Sequence, residues 1–123
     1  MARESILVVD DQPTSIKLIQ SILAGEGYQM LVAANATEAL QAIQTSRPDL
    51  ILMDICLPGL DGLALTKLLK SNLESRHIKI VAISAYASPG DDERITAAGC
   101  DGYIPKPINT RTLATSIREY LDK

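Results

Sequence analysis

Residues 6–13 read ILVVDDQP: four apolar β-formers run straight into two adjacent carboxylates, Asp10 and Asp11, and Pro13 closes the stretch. A short strand with no polar alternation is one buried on both faces, as in a parallel sheet. Adjacent acids raise the cost of ionising each other. A pair placed where such a strand emerges therefore asks for a counter-charge.

The pattern recurs along the chain. YQMLVAA (28–34), DLILMD (49–54), IKIVAIS (78–84) and the short DGYIPKP (101–107) read as further strands, with SILVVD (5–10) as the first. Helical spacing fills the gaps. Residues 14–24 put Ile16, Ile19, Ile22 and Leu23 on one face and stop at Gly25 and Gly27. Residues 37–46 have Thr37 or Asn35 as a cap and end before Arg47-Pro48. LALTKLLKSNL (63–73) follows the loop LPGLDG. PGDDERITAAG (89–99) is short, weakly amphipathic and closed by Gly99. Residues 109–123 carry Leu113, Ile117 and Leu121 at i, i+4, i+8. Five such βα units predict an α/β fold, a parallel five-stranded sheet covered by helices on both faces. The 123 residues, 46% of them hydrophobic, suit a single domain over 1–123 with one packed core.

The net charge of −3 and the absence of Trp and Phe argue against a nucleic-acid partner. Four apolar residues before the acidic pair are too few for a signal-peptide core or a membrane span, so a cytoplasmic protein without a membrane partner is expected. Cys56 and Cys100 form no CxxC motif. Two free thiols in a reducing compartment are the simplest reading, and one disulfide between them is the alternative. His77, the single histidine, sits in SRHIKI and reads as a solvated loop residue.

In open α/β sheets, ligands bind beyond the carboxyl ends of the strands. Asp10 and Asp11 end strand 1, Asp54 ends strand 3, Ser84 ends strand 4 and Lys106 follows strand 5. Each has a bland reading: a solvated acidic turn, a serine at a strand end, a loop lysine. Asp54 fits a capping role poorly, because the next helix begins several residues later, around Asp61-Gly62. Clustered carboxylates suit Mg²⁺, a hard cation that takes oxygen ligands and keeps several waters. Acids, a hydroxyl and an ammonium together suit phosphoryl transfer, which is mostly positioning and charge neutralisation. Asp54 would be the nucleophile, becoming an acyl phosphate.

VVDDQP, LILMDICLPGLDG, VAISAYA and AAGCDGYIPKP resemble the receiver domain of bacterial two-component response regulators, in order and spacing, over essentially the whole chain. The resemblance implies a flavodoxin-like doubly wound fold with strand order 2-1-3-4-5. It implies Asp54 as phosphoacceptor, loaded by a histidine kinase or a histidine phosphotransfer protein. Asp11, Asp54 and the Cys56 backbone carbonyl would hold Mg²⁺, with Asp10 assisting through water. Ser84 and Lys106 would contact the phosphoryl oxygens. Lys106-Pro107 is a candidate cis peptide, and Tyr103 matches an aromatic switch position coupled to Ser84. Cys56 and Tyr86 occupy positions that tune the acyl-phosphate lifetime in that family.

The chain is most like free-standing regulators of the shuttle and kinase-partner kind, acting on a downstream kinase or other protein. Met1 and the ending EYLDK favour that reading over a receiver excised from a multidomain regulator or hybrid kinase. A Mg²⁺-dependent aspartyl-phosphate phosphohydrolase would need a general acid where Cys56 stands, and a cap or longer chain around its substrate. A phosphate-independent binding module would have no need of the five polar groups. The expectation is a phosphoacceptor and not an enzyme. Its readout surface is expected at residues 89–121, with Arg94, Arg111 and Arg118 exposed on it.

Overall fold

The structure, a computed structural model, describes residues 4–55, 62–84, 91–106 and 108–122. Five parallel strands, β1 (Ser5–Val9), β2 (Gln29–Ala33), β3 (Leu50–Asp54), β4 (Lys79–Ser84) and β5 (Gly102–Pro105), lie in the order 2-1-3-4-5. The helices are α1 (Pro13–Ala24), α2 (Ala36–Ser46), α3 (Gly62–Ser71), α4 (Asp91–Ala98) and α5 (Leu113–Leu121). This is the flavodoxin-like arrangement that the resemblance implies. β1 pairs with both β2 and β3, so the chain reverses its direction of winding there and leaves a crevice at the carboxyl ends.

Alternation along the strands builds two cores. Ile6, Val8, Leu50, Leu52, Val81 and Ile83 face α1 and α5, meeting Ile19, Leu23, Leu113 and Ile117. Leu7, Val9, Ile51, Met53 and Ile80 face α2 and α3. Ala82 packs with Ile95 and Ala98 of α4. Every residue of β3 is buried, which explains the near-continuous apolar run.

Local chemistry shifts several element ends. α1 starts at Pro13, whose fixed φ suits the first helical position. Gly25 is still right-handed, and the chain turns at Gly27, φ 89°. Asn35 is the cap of α2: its side chain accepts the Glu38 N–H, while Glu38 accepts from Ala34 N–H. α3 ends at Ser71, because Asn72 closes a turn by accepting the Glu74 N–H through its side chain. α5 begins at Leu113 rather than near 109. The Asn109 side chain accepts the Arg111 N–H and forms a turn that competes with helix there.

Arg118, expected as an exposed cation of the readout surface, is only half-exposed and is engaged by other residues. Its guanidinium bonds Glu4 at the start of β1, pairs with Asp122 at 3.2 Å, and lies 5.8 Å from the centre of the Tyr28 ring. α5 is thus tied to the amino end of β1. The hydrogen bond from Arg118 holds the Glu4 carboxyl below its ordinary 4.5. A depressed carboxylate contributes stability above the unfolded value and loses it as pH falls through the folded one. Glu4→Gln should therefore lower the melting temperature at pH 7. The gap to the parent should close as the pH drops below about 4.5. A gap that does not vary with pH would show that Glu4 acts through packing instead.

Candidate functional site

Three strand ends and the residue after β5 converge on one mouth. Asp10 follows β1 and is anchored by its own N–H, which donates to Ala33 O at 3.0 Å, and by its carboxylate, which accepts the Gln12 N–H at 2.9 Å. It is fully buried, whereas Asp11 beside it is exposed. Asp54 ends β3 at 5% exposure and Ser84 ends β4 at 1%. Lys106 N–H donates to Ser84 O at 2.8 Å, which brings the lysine over the mouth. Its ammonium sits 3.4 Å from Asp10 Oδ2 and 3.5 Å from Asp54 Oδ2.

One carboxylate oxygen from each of Asp10, Asp11 and Asp54 lies within 4.8 Å of the others. Burial pushes the Asp10 carboxyl up from its ordinary range, and the neighbouring Asp54 charge adds to this against the Gln12 N–H and Lys106. Three carboxylates share the single ammonium that the described residues place among them. All three donors are hard oxygens on one side of a crevice. That donor set fits a small divalent cation such as Mg²⁺.

Gly62 fixes where Asp54 sits, and its role was not read from the sequence. A Cβ there would fall 2.3 Å from the Asp54 carbonyl oxygen and 2.7 Å from Ile55 Cα. Gly62 N–H donates to Ile55 O at 3.2 Å, and Thr66 returns a hydroxyl bond to Gly62 O at 2.8 Å. α3 therefore starts in direct contact with the strand end that carries Asp54. The Asp61-Gly62 pair signals a turn, but close backbone approach leaves no separate mark in one sequence.

Tyr103 is half-buried on β5, packed against the cluster of Leu63, Ala82, Ile95 and Ala98. Its N–H donates to the Tyr120 hydroxyl at 3.4 Å, and Gly102 leaves the space that the Tyr120 ring occupies. Asp101, also missed by sequence reading, locks the approach to β5: it accepts from Ile80 N–H and from Lys70 Nζ, both at 2.8 Å. Arg94 and Arg111 are exposed on α4 and before α5, and His77 is exposed before β4. Cys100 is a free thiol, half-buried, and burial pushes it up and away from reactivity. Cys56, Tyr86 and Pro107 lie outside the described residues. The expectations on the metal-binding carbonyl, the lifetime position and the cis peptide therefore have no structural counterpart here.

Comparison with known proteins places this mouth in a family. The response regulator receiver domain model matches residues 6–118. The chain belongs to the response-regulator receiver domain family. The matched span of the receiver domain includes Asp10, Asp11, Asp54, Ser84 and Lys106. The polar-differentiation response regulator DivK of Brucella anthropi is 42% identical over 118 residues, 96% of each chain. The receiver domain of a sensor histidine kinase from Pseudomonas aeruginosa, solved with a magnesium ion coordinated in its active-site cleft, superposes with a TM-score of 0.89. It is 31% identical, covering 99% of this chain and 100% of that one. The chemotaxis response regulator CheY4 of Vibrio cholerae gives 0.90 at 26% identity, covering 97% and 99%. Among the described residues, no helix of this receiver domain is long and apolar enough to cross a membrane.

Proposed function

We propose that residues 1–123 form one receiver domain that takes a phosphoryl group onto Asp54 within a two-component phosphorelay. The observation that carries this reading is the placement of Asp54: buried at the end of β3, beside the acid pair and 3.5 Å from the Lys106 ammonium. An oxygen of the Asp54 carboxylate attacks the phosphorus of a phosphohistidine on a kinase or phosphotransfer protein. The phosphorus–nitrogen bond breaks, its electron pair returns to the imidazole, and that ring takes a proton from solvent. The product is an acyl phosphate. Lys106 and Ser84 are the donors at hand for the phosphoryl oxygens.

Asp11, Asp54 and the Cys56 carbonyl would hold Mg²⁺, with buried Asp10 assisting through water. The magnesium ion in the active-site cleft of the Pseudomonas relative supports a Mg²⁺ at this mouth. When bound, the ion supplies positive charge against the phosphoryl oxygens. Asp11→Asn should weaken Mg²⁺ binding and slow phosphorylation by at least about tenfold, a ~1.4 kcal/mol effect. Phosphorylation by a small donor that proceeds equally well in EDTA would refute the metal assignment.

The acyl phosphate adds charge and acceptor oxygens at the mouth. Ser84 moving toward it would vacate space that Tyr103 can fill, since Tyr103 already rests against Leu63, Ala82 and Ile95. The output is then a change in affinity for a downstream kinase or other protein through α4, β5 and α5, typically ~1–3 kcal/mol of coupling. Arg94 and Arg111 are the exposed cations there. The domain acts by binding and promotes only its own phosphorylation and dephosphorylation. Chemical-shift mapping with beryllofluoride, a phosphoryl mimic, should move Tyr103 and residues 91–98. Shifts confined to the rim of the acid mouth would leave a relay without this switch.

A further inference from the structure

At the opposite end of the strands, where β3 and β4 begin, Arg47, Pro48, His77, Lys79 and Leu121 line a hollow of about 340 Å³, together with the acids Glu4 and Asp49. Backbone bonds build its walls: Asp49 N–H donates to Ser5 O at 2.8 Å and Lys79 N–H to Asp49 O at 3.2 Å. Each acid is engaged through one oxygen. Glu4 Oε2 is bonded by Arg118 while its Oε1 has no hydrogen-bond partner among the described residues, and Asp49 Oδ2 accepts the Ser5 N–H at 2.8 Å. The cations are not. Among the described residues, no hydrogen bond or ion pair engages the side chains of Arg47, His77 or Lys79.

Arg47 adds a second, independent observation. It caps α2 in the left-handed conformation, φ 45° and ψ 72°, and is the single non-glycine residue with positive φ among those described. Glycine or asparagine makes such a cap at least cost. Here a guanidinium is kept on a backbone that disfavours a side chain, at the lip of a hollow that also holds Lys79. Backbone strain of this kind points toward a use for the residue.

We propose that this hollow is a binding site for a small, soluble phosphate-bearing molecule. Arg47 supplies a planar fork of donors for phosphate oxygens, Lys79 a point charge and His77 a ring N–H. Pro48 and Leu121 offer an apolar wall to whatever organic group the phosphate carries. The charge of Asp49 works against the anion and limits its affinity. This site is separate from the acid mouth, on the other end of the strands, and does not depend on Asp54 chemistry.

The test is an NMR titration of the Mg²⁺-free protein with inorganic pyrophosphate at constant ionic strength. Shifts should cluster at residues 4–5, 47–49 and 77–79. The paired variant Arg47→Gln with Lys79→Gln should weaken binding by at least about tenfold, and Asp49→Asn should tighten it. Arg47→Gly separates the site from the cap: it should preserve or raise the melting temperature, because the strain is relieved, while binding falls. Undiminished affinity in Arg47→Gly or in the paired variant would overturn the proposal. So would shifts that cluster only around Lys106.

Discussion

Asp54→Asn is expected to abolish phosphoryl transfer from every donor while raising the melting temperature of the metal-free protein. The first effect is the loss of the nucleophilic carboxylate. The second follows from the crowding of charge. Asp54 and Asp10 are both buried and share Lys106, whose ammonium lies about midway between them at 3.5 and 3.4 Å. Removing one charge leaves the ammonium to a single buried acid. A gain of about 1 kcal/mol, a few degrees in melting temperature for a chain of this size, is expected. Thermal unfolding of both proteins in EDTA measures it. A lower melting temperature for the asparagine variant would mean that the Lys106–Asp54 attraction outweighs the repulsion between the acids.

Gly62→Ala is expected to destabilise the fold by about 2–3 kcal/mol and to impair phosphorylation as well. The new methyl would stand 2.3 Å from the Asp54 carbonyl oxygen and 2.7 Å from Ile55 Cα. Those are backbone atoms at the end of the buried strand β3 and of the residue that follows it, so they cannot turn aside as a flexible side chain could. α3 must move away, which breaks the Gly62–Ile55 bond and displaces Leu63 and Leu65 from their packing. Denaturant unfolding and donor-driven phosphorylation test both parts. A variant with parental stability would show that the α3 start adjusts freely and does not hold Asp54 in place.

The fold was legible where burial leaves a one-dimensional mark. β1, β3 and β4 carry unbroken apolar runs because both faces of each are covered, and a polar residue ends β3 and β4 and directly follows β1 where the chain emerges at the mouth. Asp10, Asp11 and Asp54 could be grouped from that rule alone, and the structure does bring them within 4.8 Å of one another. What could not be read depends on distance through space. Arg118 and Glu4 are 114 residues apart, so their bond, which engages the arginine expected to be exposed on the readout surface, leaves no mark in the sequence. Asp101 was read only as part of the stretch DGYIPKP, yet its carboxylate is held by Lys70 from α3 and by the Ile80 N–H of β4. The Tyr120 ring needs the missing side chain of Gly102, a pairing that neither residue announces. Arg47 in a left-handed cap runs against the residue preference for that position, so the sequence pointed away from it. The late start of α5 is similar: Leu113, Ile117 and Leu121 fix the helical face, but the Asn109 turn sets its first residue.

Mapping the acyl phosphate tests the central claim most directly. The protein is incubated with acetyl phosphate and Mg²⁺, trapped by borohydride reduction, digested and read by peptide mass spectrometry. One modification, on Asp54, absent in EDTA and absent from Asp54→Asn, is the predicted result. A modification on Asp10, Asp11 or another residue, or none with Asp54 intact and Mg²⁺ present, would contradict the assignment of Asp54 as the phosphoacceptor.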